Sequence, residues 1–374
     1  MATTAIPAQM RAQQLHSYNT PYQLTTTEPV PTPSHPDDLL IRVEAASYCH
    51  TDAVLAAGQM PGLPMAFPHV GCHEFAGTVV AHSATGASKV AKSIASGTLV
   101  AVNGRAYLPC GECGECLKTV GNEQDNDQPG YSVYCPLAQN NGISKAGGFR
   151  DYAIVDARQV ALVPPNLRAV DAAPLMCAGV TIYGALKRCA PQLRPGGTVG
   201  IIGCGGGLGH LGVQFALRMG YRVIGVDAKD EALNLAEEVG EGGDRVRIVD
   251  ARKKNVEQLL EEEKTPVDAV IILPESQQAF DYGMRMVRNH GKCVVVSFPE
   301  AGFHVSARDL VFKDVTIVGS LVGSNKTLKE TLEFAAEHNV RAKIRTFPLT
   351  QLNELVEAYH RGDGGKLVVD ALLN

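Results

Sequence analysis

The chain has 374 residues, 45% hydrophobic and 20% charged, and a formal net charge of −5, a length that exceeds one ordinary core and sets two domains as the expectation. With no basic excess, neither nucleic acid nor an anionic membrane surface is expected as a partner. The opening MATTAIPAQMRAQQL lacks the apolar core of a signal peptide and no run of about 18 apolar residues occurs, so no membrane span is expected and the expected location is cytoplasmic.

In chain order, Pro36-Asp37-Asp38 is a turn, and LLIRVEAA over 39–46 reads as a strand that delivers Cys49-His50-Thr51-Asp52 at its end. Thiol, imidazole, hydroxyl and carboxylate packed into one run within Ala-rich sequence point first to a soft-ligand metal site. The proline-bearing stretch 59–68 is loop by expectation, and it hands the chain to His73-Glu74 and a strand over 78–80. After a short strand at 99–102 come Cys110, Cys113 and Cys116 at C-x-x-C-x-x-C spacing, with Cys135 downstream. In a reducing compartment that spacing reads as a closed, structural four-thiolate zinc site, not as disulfides. Between its third and fourth cysteines, GNEQDNDQPG (121–130) is expected to be a solvated, mobile loop.

A strand over 152–155 precedes a segment from Asp171 to Lys187 that reads as one helix, with Asp171 as its N-cap and Cys177 inside it. A cysteine among Ala, Leu and Met is packing by default. It is also the candidate third ligand beside Cys49 and His73, and three protein ligands with one open position make a catalytic zinc.

From Thr198 strands and helices alternate: strands at 198–202, 222–227, 246–249, 268–273 and 292–298, and helices at 208–219, 230–239, 256–263 and 276–287. Short apolar strands separated by amphipathic helices imply a parallel sheet covered on both faces. Its first turn is Gly203-Cys204-Gly205-Gly206-Gly207-Leu208-Gly209, between a strand and a helix, where glycines let the backbone approach a pyrophosphate. Asp227 ends the next strand, where a carboxylate accepts both ribose hydroxyls and repels a 2′-phosphate, so NAD is expected over NADP; Lys229 close by would partly offset that repulsion. The tail reads as helix 327–337, extended 343–347, helix 350–360 and strand 366–370, and is expected to fold back onto the first domain.

Cys49-His-Thr-Asp52, Gly71-Cys-His73-Glu74-Phe-Ala-Gly77, the Cys110/Cys113/Cys116/Cys135 lobe, AAPLMCAGVTIYGALK around Cys177, GCGGGLGHLGVQFA and VGSLVG together resemble the zinc-dependent medium-chain alcohol dehydrogenases, over essentially the whole chain. The resemblance implies an α/β protein with a GroES-like, mainly β catalytic domain (1–178, with a structural zinc lobe at about 104–140), a Rossmann NAD-binding domain (179–319) and a return segment (320–374). It implies two zinc ions per subunit. Cys49, His73 and Cys177 would hold the catalytic one, with Glu74 an occasional alternative ligand, and Asp52 would orient His73. Cys110, Cys113, Cys116 and Cys135 would hold the structural one.

By the same resemblance Thr51 would hydrogen-bond the substrate oxygen, and His50 would face the coenzyme pyrophosphate with Lys366 near the same phosphates. Gly203, Gly205, Gly206, Gly207, Leu208, Gly209, Asp227 and Lys229 would bind NAD. The implied activity is reversible alcohol oxidation by a homotetramer or homodimer; the rivals are an aldehyde or ketone reductase using the site in reverse, and a catalytically silent nucleotide-binding relative. Three departures stand out: Cys72 before the zinc histidine where relatives carry glycine, the insertion before Cys135, and Val54 where many relatives carry a proton-relay histidine. The chain has no tryptophan, and with Met60, Tyr107 and Leu321 as candidate pocket walls the expected substrate is larger or more hydrophobic than ethanol.

Overall fold

The computed structural model describes residues 5–60, 66–117, 132–241, 243–264, 266–362 and 364–373. The acidic stretch 121–130 and part of the proline-bearing segment therefore lie outside the described residues. The chain opens with β1 (Gln9–Gln14) and β2 (Gln23–Pro29), an antiparallel pair that sequence reading does not anticipate, because QMRAQQ and QLTTTEP carry no run of apolar residues.

A seven-stranded sheet follows, built from β3 (Asp38–Ser47), β4 (Glu74–His82), β5 (Leu99–Asn103), β6 (Tyr152–Asp156) and β7 (Val160–Leu162). The second sheet consists of β8 (Thr198–Ile202), β9 (Arg222–Asp227), β10 (Val246–Asp250), β11 (Val267–Ile272), β12 (Val287–Val295) and β13 (Thr316–Gly319). The chain then returns to the first sheet with β14 (Ile344–Phe347) and β15 (Lys366–Asp370). In the first sheet the order is β14-β15-β3-β4-β5-β7 with β6 also on β3, and β15 runs antiparallel to β3 with Val368 opposite Ser47.

The second sheet is parallel throughout in the order β10-β9-β8-β11-β12-β13. Strand order therefore reverses between β8 and β11, and a crevice at the carboxyl ends of such strands is where ligands bind in doubly wound sheets. Its strands read as near-continuous Val and Ile because helices cover both faces, and Val199, Ile201, Val270 and Ile271 are fully buried.

One helix joins the two sheets. Ala178–Arg188 is buried from Ala178 through Leu186 and packs in one apolar cluster with Ala45, Ala76 and Val368 of the first sheet and Ile201 and Ile271 of the second. The single helix expected from Asp171 is broken. A short helix Ala169–Ala172 passes into a 3₁₀ turn Ala173–Met176, and Cys177, at φ −127°, caps the joining helix. Pro174 accounts for the break, since it removes an N–H and crowds the preceding turn. Asp171 is not the cap but lies three residues inside it, its carboxylate accepting the Arg168 N–H at 3.2 Å.

Among the described residues no single helix is long and apolar enough to cross a membrane; the bent pair 169–176 and 178–188 passes on length and composition alone, and it is this core. Under the first sheet, Phe75 and Phe149 are fully buried, and truncating either to Ala would cost about 3–5 kcal/mol.

Candidate active site

At the end of β3, Cys49 turns the chain into the helix His50–Ala56 as its N-cap. Asp52, three residues on and 1% exposed, accepts the Cys49 N–H at 2.9 Å with one oxygen and the Cys72 N–H at 2.8 Å with the other. One buried carboxylate thus ties the Cys49 turn to the Cys72-His73 turn, and burial, as the leading cause, pushes it up to about 6. Asp52 meets the chain beside His73 at the Cys72 N–H and not at the ring, whose Nδ1 is buried with no hydrogen-bond partner. Cys72 holds a left-handed φ of +78°, and its thiol donates to the Ser47 and Glu74 carbonyls at 3.5 and 3.4 Å. Burial pushes that thiol well up, which leaves it inert.

These turns bring Cys49, His73 and Glu74 together with Cys177 from the break before the joining helix, all four ligand atoms within 4.8 Å of one another. A hydrogen bond between the two thiols lowers Cys49 well below, and holds Cys177 well above, the ordinary thiol range. Burial works to lower His73, but the charge and hydrogen bond of Cys49 with the charges of Asp52 and Glu74 together outweigh it and raise the imidazole to about 9. Burial likewise pushes Glu74 up to about 8, against the pull of Lys366. Metal binding requires these donors deprotonated, so a divalent cation would displace the protons they hold. Two thiols, an imidazole with an orphaned buried nitrogen and a carboxylate behind them are a donor set that fits zinc. Thr51 Oγ1 lies 3.9 Å from Cys49 Sγ, on the same turn.

Lys366 is 5% exposed, with its ammonium turned inward. Its Nζ pairs with Glu74 Oε2 at 2.7 Å and donates to the Tyr48 carbonyl at 3.0 Å. Its stem is what meets the glycine turn, for a Cβ added to Gly207 would stand 3.3 Å from Lys366 Cδ.

The second cluster is Cys110, Cys113, Cys116 and Cys135. The sulfurs of Cys110 and Cys135 are 3.7 Å apart and those of Cys113 and Cys135 are 3.9 Å apart. Neither is a disulfide, and both match the edge of roughly 3.8 Å of a tetrahedron with Zn–S near 2.3 Å. The N–H groups of Glu112 and Cys113 donate to Cys110 Sγ at 3.4 and 3.3 Å and lower its thiol to about 7. All ten cysteines are free.

The glycine turn leaves β8 at Gly203, φ +82°, and enters the helix Gly209–Arg218 with Leu208 at its cap. Close approach requires glycine at 205, where a Cβ would stand 1.8 Å from the Ala232 carbonyl oxygen. Asp227, at the end of β9, accepts the Gly205 N–H at 3.1 Å and the Ala228 N–H at 2.8 Å. A cavity of about 330 Å³ opens here between Gly203, Asp227, Lys229, Pro274 and Tyr282. On the other side of the turn, a cavity of about 410 Å³ separates Gly205, Gly206 and Gly207 from Tyr359 and Gly365.

Three residues here escape sequence reading. His210, fully buried, donates from Nδ1 to the Gly206 carbonyl at 2.8 Å and accepts the Lys343 N–H on Nε2 at 3.1 Å, joining the turn to the return segment; burial lowers it to about 4. Tyr359, on the late helix Leu352–Arg361, places its hydroxyl 2.7 Å from His50 Nδ1. Glu275, in the loop after β11, sets its Oε1 3.6 Å from His50 Nε2. Only Glu275 carried a signal, its position just past a strand end beside the reversal of strand order. Of the expected pocket walls, Met60 packs against Leu55 and Ile143 and Leu321 is 38% exposed. Tyr107 belongs to the core instead, with Leu40 and Ile154, its hydroxyl donating to Asp38 at 2.8 Å.

Residues 35–165 match the family described as the alcohol dehydrogenase GroES-like domain, and residues 207–337 match the zinc-binding dehydrogenase family. The chain is 35% identical to an alcohol dehydrogenase of Geobacillus stearothermophilus, over 89% of this chain and 91% of that one. It is 32% identical to an alcohol dehydrogenase of Moraxella sp. (strain TAE123), over 96% and 99%. Among solved structures it is similar to the alcohol dehydrogenase of Aeropyrum pernix, with a TM-score of 0.81 at 28% identity over 96% of this chain and 99% of that one. It is also similar to an acetophenone reductase of Geotrichum candidum solved in complex with NAD, with a TM-score of 0.78 at 25% identity over 98% of both. Both matches run through the sheets just described and the relatives align over nearly their whole length, so the chain belongs to the zinc-binding alcohol dehydrogenase family.

Proposed function

We propose that this chain catalyses reversible hydride transfer between a primary or secondary alcohol and NAD. The observation that carries the reading is the single span of Lys366, with its stem against Gly207 and its ammonium on Glu74, which sets the coenzyme turn beside the ligand cluster. Cys49, His73 and Cys177, with Glu74 behind them, would hold zinc, a Lewis acid that would favour loss of the alcohol proton.

Around that centre the chain's own groups bind, orient and carry the proton. Asp52 fixes the two turns that present Cys49 and His73. Thr51 holds the substrate oxygen by hydrogen bond and takes its proton outward. With Val54 in the relay position, the proton goes on from Thr51 through the coenzyme ribose and water, or through His50. Gly203, Gly205, Gly206, Gly207, Leu208 and Gly209 cradle the pyrophosphate at a helix N-terminus while Asp227 takes the ribose hydroxyls and Lys229 flanks them. The NAD bound to the Geotrichum candidum reductase supports this choice of coenzyme. The four-thiolate cluster holds a second, structural zinc.

Domain boundaries at 1–178, 179–319 and 320–374 and a homotetramer or homodimer complete the reading. Ten unpaired cysteines fit a reducing, cytoplasmic location. The substrate is a larger or more hydrophobic alcohol than ethanol. An alcohol panel followed by coenzyme absorbance, with NAD and NADP side by side, tests all of this. Turnover with NAD on alcohols bulkier than ethanol supports the reading, faster turnover of ethanol than of any of them overturns the substrate class, and no reduction of either coenzyme overturns the activity.

A further inference from the structure

Glu275 stands where a carboxylate is least welcome to a coenzyme. The loop Leu273-Pro274-Glu275 follows β11 on the far side of the strand reversal from β8, and it is firmly held. Leu273 N–H donates to the Ile202 carbonyl at 3.3 Å, Ser297 Oγ donates to the Pro274 carbonyl at 2.8 Å, and Pro274 Cγ lies 3.1 Å from where a Cβ on Gly203 would stand. From this base the Glu275 side chain crosses to His50 of the other sheet, Oε1 to Nε2 at 3.6 Å. His50 is itself held, Nδ1 at 2.7 Å from the hydroxyl of Tyr359, a residue that lines the cavity facing Gly205, Gly206 and Gly207, and it turns Nε2 to Glu275.

Stability does not account for the pair. The side chains are 54% and 46% exposed, and a polar contact so hydrated adds little to folding. Its consequence is for binding: with His50 facing the coenzyme pyrophosphate, as the family resemblance implies, a carboxylate 3.6 Å from Nε2 repels the arriving phosphates and competes for that nitrogen.

We propose that Glu275 is an affinity-setting residue of the coenzyme site, competing with the coenzyme pyrophosphate for His50 so that coenzyme binding parts His50 from Glu275. This rests on the NAD reading above. The carboxylate weakens binding of oxidised and reduced coenzyme alike and so hastens release, a step that limits turnover in many enzymes. The partner it acts on is the pyrophosphate, common to every nicotinamide dinucleotide.

The test is a fluorescence titration of the zinc-loaded enzyme with NADH at low ionic strength, on wild type, Glu275→Gln and Glu275→Ala. Both variants are expected to bind NADH about two- to tenfold more tightly, the gain closing toward one at about 1 M salt, where the Debye length falls to about 3 Å. Equal or weaker binding by Glu275→Gln overturns the proposal. So does a gain in Glu275→Ala alone, which would assign the effect to side-chain bulk. If neither wild type nor variant binds NADH, the coenzyme reading fails while the proposal is decided by the same ratio measured with NADPH. Absence of binding to both nucleotides overturns the two together.

Discussion

Gly147 gives the sharpest way to move His73 without touching it. A Cβ at this position would stand 2.0 Å from the Cys72 carbonyl oxygen and 2.5 Å from both the Gly142 Cα and the Gly71 carbonyl oxygen. All three are backbone atoms and none can rotate aside. Gly147 is not left-handed, so Gly147→Ala perturbs by contact and not by strain of its own φ. Restoring an ordinary contact of 3.4 Å requires the Cys72 carbonyl to retreat by roughly 1.4 Å (3.4 − 2.0). Zinc–nitrogen distances tolerate only about 0.2 Å around roughly 2.0–2.1 Å, so a displacement of that size at the residue before His73 uncouples the imidazole from Cys49 and Cys177. Overpacking of this kind costs about 1–3 kcal/mol of stability. Zinc per subunit, measured by elemental mass spectrometry on dialysed protein, is expected to fall from about two to about one, with alcohol oxidation lost and the four-thiolate site retained. Gly243→Ala is the control, since a Cβ there meets nothing within 4 Å. A Gly147→Ala protein that keeps both zinc ions and full activity would refute the reasoning.

Two further perturbations probe proton handling and a half-buried lysine away from the ligand cluster. Val54→His puts a titratable group two residues beyond Asp52 and is expected to shift the pH dependence of alcohol oxidation; an unchanged profile would mean that Thr51 already has a complete route outward. Lys145, with its ammonium over the Tyr107 ring at 4.1 Å and donating to the Ile154 carbonyl at 2.9 Å, is lowered to about 7 by burial first and by Arg150 second. A lysine lowered in the folded state binds fewer protons there than in the unfolded chain, so its contribution to stability rises with pH from about 7 toward the ordinary 10.5. Lys145→Met should remove that increment, up to ~1.4 kcal/mol per pH unit, from urea unfolding compared at neutral and alkaline pH. A wild type whose stability does not rise relative to the variant would exclude it.

Much of the fold was legible because the determinants are local. Each Val- and Ile-rich strand of the parallel sheet is bounded by its own turn residues, and the helix Val256–Glu263 and the strand Lys366–Asp370 coincide with their sequence limits. The opening pair β1 and β2 was not, since its pairing is set by contact with the core through Ala12 and Leu15 and not by its own composition. In the site, cysteine spacing marks the four-thiolate cluster because metal geometry imposes spacing on sequence, whereas the cluster of Cys49 and His73 shows in the residue types of two separate motifs. Cys177 needed more, for its place outside a helix depends on where Pro174 breaks the backbone. The pairing of Lys366 with the deeply buried Glu74 joins residues far apart in sequence and leaves no local signal. Glu275 and Tyr359 meet His50 from segments far away in sequence, and no local pattern records such meetings.

Cys177→Ala tests the centre of the account most directly, by removing the ligand whose role depends on the fold. Following NADH formation across the alcohol panel together with zinc content, the wild type is expected to oxidise alcohols, and the variant to hold about one zinc fewer and to lose at least about 10²-fold in kcat. A variant that keeps its zinc and turns over at the wild-type rate would contradict the assignment of Cys49, His73 and Cys177 as the catalytic metal site.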